Sequence, residues 1–197
     1  MKHLSVIICA ISIFFSVACS DNSPAYLPKP KGFHRIDLPK HAYEALPEEY
    51  PYSFEMSKHA IILPDTSHRA EPYWIEVKYP ELTASISISY KKVNNNADSL
   101  AGFFNDSHRL TNKHNIRATA IDEYVMKSKK GYTAVLFELE GEVPSQFQYF
   151  LTDSTENFLR AALYFPTSTK NDSLAPVINW VKEDMMHMIN TTEWRKM

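Results

Sequence analysis

Histidines are the first place to look for proton transfer or metal binding near neutral pH, and this 197-residue chain has eight. His3 stands near the start, and His34, His41, His59, His68, His108, His114 and His187 are spread along the rest. They form no His-x-His, no His-x-x-x-His and no Glu-bearing zincin pattern. Zinc needs ligands within about 2 Å of the ion, and local spacing usually announces such a set. The pattern therefore implies no metal site. His108, with Arg109, Lys113, His114 and Arg117, makes a basic cluster that has two readings. It is either the solvated end of a helix, where cations complement the macrodipole, or a site for an anion or headgroup. Carboxylates come as the neighbouring pairs Glu48-Glu49, Asp122-Glu123 and Glu183-Asp184. Neighbours point apart on a strand or helix, so these read as solvated charges rather than acid–base partners. No serine lies in a Gly-x-Ser-x-Gly elbow. Gly32, Gly102, Gly131 and Gly141 are too dispersed to cradle a phosphate. Hence no catalytic residue, no cofactor and no small-molecule substrate is expected; only a site assembled from distant residues would escape such a reading.

The remaining chemistry belongs to sulfur. Lys2, an apolar run from Leu4 to Val17, and the small residues Ser16 and Ala18 before Cys19 make a secretory signal over residues 1–18. A cysteine at the end of such a run resembles a bacterial lipobox, in which it is acylated and becomes the new N-terminus. Ser16 stands where Leu is usual, which leaves an ordinary signal peptide or a membrane anchor as alternatives, although the run is shorter than the roughly 20 residues of a spanning helix. Cleavage would remove Cys9, and acylation would occupy Cys19, so no disulfide is expected and the core must hold by packing. Ser20 rather than Asp follows the cysteine, which by the enteric sorting rule points to the outer membrane, facing the periplasm.

A lipidated cysteine needs a linker and a folded load. Residues 19–32 carry Pro24, Pro28 and Pro30 and read as an extended tether, able at about 3.1 Å per residue to hold a domain roughly 30 Å from the lipid. The segment Tyr26, Leu27, Pro28, Lys29, Pro30, Lys31, Gly32 is either plain spacer or a strip that recognises a partner through a preformed extended shape. Residues 33–197 then read as a single domain. Pro39, Pro47 and Pro51 punctuate an irregular stretch. Strands are expected at 59–63, 73–79 and 84–90, the last alternating Ile86, Ile88 and Tyr90 with Ser85, Ser87 and Ser89. Leu100, Phe103, Phe104, Ser107 and Thr111 have helical spacing after Asp98-Ser99, which predicts a helix over 98–113. Four more strands, 116–126, 132–140, 145–151 and 158–165, have short connections and imply an antiparallel meander. Leu174, Val177, Ile178, Val181, Met185, Met188 and Ile189 form one face of a final helix starting near Asp172-Ser173. Asp98-Ser99-Leu100 and Asp172-Ser173-Leu174 look like O-glycosylation acceptors of Bacteroidota, but helix capping explains both without a sugar. The order of elements gives an α+β fold, an antiparallel sheet whose apolar face is covered by two amphipathic helices, resembling PsbP-like and Mog1-like domains in layout.

A balance of 21 Lys+Arg against 23 Asp+Glu provides no field that would draw a polyanion, so nucleic acid is not an expected partner. Residues 26–32 and Pro51-Tyr52-Ser53-Phe54-Glu55 resemble the gliding motility lipoprotein family GldD of Bacteroidota. The likeness continues through Ser89-Tyr90-Lys91, Val93-Asn94-Asn95-Asn96, Leu110-Thr111-Asn112-Lys113-His114, residues 146–154 and Leu163-Tyr164-Phe165. The resemblance implies an envelope lipoprotein required for gliding and for type IX secretion, with other proteins of that machinery as partners and no known enzymatic activity. Cys19 is the one position whose role it carries over. A structural or stabilising component of the machinery is the first expectation; a periplasmic ligand-binding module or uncharacterised enzyme acting indirectly is the alternative.

Overall fold

Seven strands supply the sheet. In the computed structural model, which describes residues 36–166 and 171–196, they are β4 (Ile61–Pro64), β5 (Ile75–Tyr79), β6 (Ala84–Lys92), β7 (Ala118–Lys127), β8 (Thr133–Gly141), β9 (Phe147–Thr152) and β10 (Asn157–Tyr164). The sheet is antiparallel throughout, in the order β4-β5-β6-β10-β9-β8-β7. The expected meander is present as β7 to β10, and it returns to lay β10 against β6, with Leu163 opposite Ile86 and Ala161 opposite Ile88. Two helices pack on it, α1 (Ala97–Asn112) and α2 (Asn171–Thr191), and a 3-10 turn (Lys113–Ile116) joins α1 to β7. The fold is α+β, as expected. The irregular proline-rich stretch holds three short strands that alternation could not reveal: β1 (Tyr43–Ala45), β2 (Tyr52–Ser53) and β3 (Glu55–Ser57). β1 pairs with β3, and β2 pairs with the C-terminal β11 (Glu193–Trp194).

The helices cover the sheet from opposite faces rather than sharing one apolar face. Neighbouring residues of a strand point to opposite sides, and β8 separates them cleanly. Ala134 and Leu136 join the core under α2, with Ile86, Tyr149, Leu159, Val181, Met185 and Met188. Val135, Phe137 and Leu139 join a second core under α1, with Phe150 and Phe158. There Phe104 stacks on Phe150 at 5.1 Å and Phe103 meets Phe158 at 5.5 Å between ring centroids. The serines of β6 lie on this second side and stay half-buried, because a 16-residue helix is about 24 Å long and α1 spends it over the β8–β10 side. A strand buried on both faces loses its alternation: β9 is buried at all six positions.

The start of α1 is one turn-position earlier than its Asp-Ser pair suggested. Asn96 is the N-cap, and its side-chain oxygen accepts from the Ser99 backbone N–H at 2.9 Å, while Asp98 sits in the first turn. Asp153 is a turn clamp: its Oδ1 accepts from the backbone N–H of Thr155, Glu156 and Asn157 at 2.9–3.0 Å and closes the β9–β10 hairpin. Asn96→Ala is expected to destabilise the domain by about 1 kcal/mol in urea unfolding, and Asp98→Ala by less than half of that.

Candidate functional site

The chain enters the domain along α2. Ile36 and Leu38 pack on the core under that helix. Beyond them alternate residues of the strap meet successive turns. The Pro39 carbonyl accepts from Trp180 Nε1 at 2.9 Å, His41 lies against Asp184, and the Tyr43 ring stacks on His187 at 3.7 Å. Two extended residues advance about 6.6 Å and one helical turn about 5.4 Å, close enough for the two to run side by side in the same direction. On α2 the partners Trp180, Asp184 and His187 are spaced four and three apart, which puts them on one stripe beside the apolar face.

His41 is the centre of this strap. Its ring stacks on Trp180 at 4.5 Å and 12°. Nδ1 is 2.6 Å from Asp184 Oδ1 and Nε2 is 2.9 Å from Glu183 Oε2. Asp184 is fully buried, and its second oxygen accepts the Tyr79 hydroxyl from β5 at 3.1 Å. Burial first, and the Asp184 charge second, push the Tyr43 hydroxyl up to about 12 and the Tyr79 hydroxyl far above its usual range. Both phenols therefore stay protonated, as donors must. One step further along α2, His187 Nε2 reaches Glu55 of β3 at 2.6 Å.

The pair Glu183-Asp184 thus departs from the expected pair of solvated charges. Neighbouring helical residues are about 100° apart, so one can enter the core while the other stays in water: the Glu183 side chain is 70% exposed and that of Asp184 1%. Their oxygens still meet on one imidazole because the ring presents a nitrogen to each. Both His41 nitrogens and both Asp184 oxygens have partners within the chain, so the constellation fastens the strap to α2 and the sheet. Among the described residues no group of three or more His, Cys, Asp or Glu side chains is arranged to hold a metal ion.

The basic cluster divides. His108 donates or accepts at Glu123, 3.2–3.3 Å away on β7, and Arg109 pairs with Asp106 at 2.7 Å. Lys113, His114 and Arg117 instead line a shallow cleft with Ile116, Pro144 and Pro166. Burial, and then the nearby Arg160 guanidinium, hold the His114 imidazole below its ordinary value. Large apolar side chains are also exposed at the sheet edges, Ile61 and Leu63 on β4 and Tyr124 and Val125 on β7. Charged Asp122, Glu123 and Lys127 and a bulge at Thr119 blunt the β7 edge. No described helix is long and apolar enough to cross a membrane. Cys19 and the segment from Tyr26 to Gly32 lie outside the described residues.

The match to known proteins covers most of the chain: residues 23–194 fit the family model for the gliding motility lipoprotein GldD. The chain belongs to that family. No curated protein matches it. Among solved structures it is similar to the solution structure of cyanobacterial PsbP (CyanoP) from Synechocystis, at 8% identity and a TM-score of 0.44, covering 82% of this chain and 97% of that one. Membership in the family makes this a motility-related lipoprotein anchored in the cell envelope.

Removing the buried acid of the fastener should be far more damaging than removing the exposed one. Asp184→Ala strands the His41 and Tyr79 donors and is expected to cost about 3 kcal/mol in urea unfolding. Glu183→Ala should cost below about 1 kcal/mol.

Proposed function

We propose that the protein is a non-enzymatic structural component that stabilises the gliding and type IX secretion machinery, tethered through acylated Cys19 to the periplasmic face of the outer membrane. The observation that carries this reading is the fastener. The His41, Asp184, Glu183 and Tyr79 constellation is saturated by its own partners and joins the entering chain to α2 and the sheet. A lipoprotein that works by holding others needs its load fixed to the tether, and the strap does that.

Residues 26–32 then serve as more than length. Tyr26 and Leu27 offer apolar anchors, Pro28 and Pro30 lower the ordering entropy, and Lys29 and Lys31 suit acidic partner groups. Two or three acyl chains on Cys19 bury enough methylene, at about 0.8 kcal/mol each, for lasting attachment.

Cys19→Ala is expected to release the protein from envelopes in a carbonate wash. Crosslinked envelopes should yield motility and secretion proteins with the lipidated chain, and fewer with a Tyr26→Ser, Leu27→Ser variant at equal abundance. Full membrane retention of Cys19→Ala would contradict the anchor. A co-purified small molecule in native mass spectrometry, with no motility protein captured, would contradict the structural role.

A further inference from the structure

Sheet register gathers several loops at one end of the domain. Tyr79 pairs with Ala84, Ala118 with Gly141, Glu138 with Phe147 and Tyr164 with Ser85. The 3-10 turn before β7, the β8–β9 loop and the segment after β10 therefore lie together, and the Phe165 N–H donates to the Pro144 carbonyl at 3.1 Å. Gly141 permits the close approach. It has φ +100°, and a Cβ there would fall 2.7 Å from the Arg117 carbonyl oxygen.

At this end stands Ile116, 91% exposed and the most exposed large apolar side chain described. Pro144 and Pro166 flank it, Lys113, His114 and Arg117 complete the cleft, and none of the lining residues is acidic. Acids stand at the same end too, Asp37 beside Ile36 and Glu81 and Glu142 in neighbouring loops, and none of them is part of that lining.

The first described residue of the chain lies toward this end too. The strap runs parallel to α2, with Pro39 at Trp180 and Tyr43 at His187, so Ile36 lies toward the helix N-terminus. Pro166 and Asn171, five residues apart, are separated by at most about 18 Å. Seventeen residues connect Cys19 to Ile36 and span at most about 60 Å. A bilayer holding the lipid is thus within reach of the end that carries Ile116.

We propose that the Ile116 tip with Lys113 is a second membrane contact, which docks the tethered domain on an anionic phospholipid surface. An apolar tip inserts among acyl chains while flanking cations stay at the headgroups. Such a contact is weak alone and effective when the tether keeps its local concentration high. The proposal rests on the acylation of Cys19.

The test uses the lipidated full chain on vesicles of phosphatidylcholine with or without phosphatidylglycerol, carrying an environment-sensitive fluorophore at Asn115→Cys. Acylation of Cys19 leaves that thiol unique. Blue-shifted emission with phosphatidylglycerol, reversed by Ile116→Asp with Lys113→Glu while the protein still floats with the vesicles, is the expected result. A label at Thr155→Cys, on the hairpin at the other end, should stay aqueous. Flotation with an aqueous label at 115, or equal shifts at 115 and 155, overturns the docking alone. Failure to float overturns the anchor and the docking with it.

Discussion

A carboxylate removed from water must be compensated by its neighbours, and at Asp184 three parts of the chain supply the compensation. The strap brings His41, β5 brings Tyr79, and α2 carries the acid itself. Removing His41 or Tyr79 takes a partner from a buried carboxylate. The arrangement of the α2 side follows: Trp180 is positioned to stack on His41 and to bond Pro39, and Tyr43 to stack on His187. Buried ion pairs add little net stability over apolar replacements. What this one supplies is a defined place where the chain joins the domain.

That place has mechanical meaning in a family of lipoproteins. The two cores divide the sheet, α2 with the strap on one face and α1 on the other. On the α2 side the strap is held by stacking, hydrogen bonds and ion pairs in succession. The α1 face carries no such connection to the entering chain, and its aromatic cluster of Phe104, Phe137, Phe150 and Phe158 packs by itself.

Periodicity made the larger elements legible. Ile86, Ile88 and Tyr90 alternate with serines because one face of β6 is only half covered, and α2 shows its stripe because only one side of it is buried. The two-faced sheet was not legible. A run such as Phe147-Gln148-Tyr149-Phe150-Leu151, buried on both faces, carries no period that says which residue faces which helix. Nor were β1, β2, β3 and β11, since two or three residues cannot establish an alternation. The fastener escaped for another reason: His41 and Asp184 are 143 positions apart, and no local spacing relates them. The one trace was on α2, where Trp180, Asp184 and His187 interrupt an apolar face at helical spacing.

The central claim is that Asp184 holds the strap rather than the domain as a whole, and native-state hydrogen exchange separates the two. The Lys58 N–H donates to Ala42 at 2.8 Å and the Leu46 N–H to Phe54 at 2.9 Å, so these amides report the strap and its β1–β3 hairpin. In an Asp184→Asn variant they are predicted to lose protection by at least about tenfold more than the β6 and β10 amides do. Unchanged protection at Lys58 and Leu46, or an equal loss across the sheet, would contradict it.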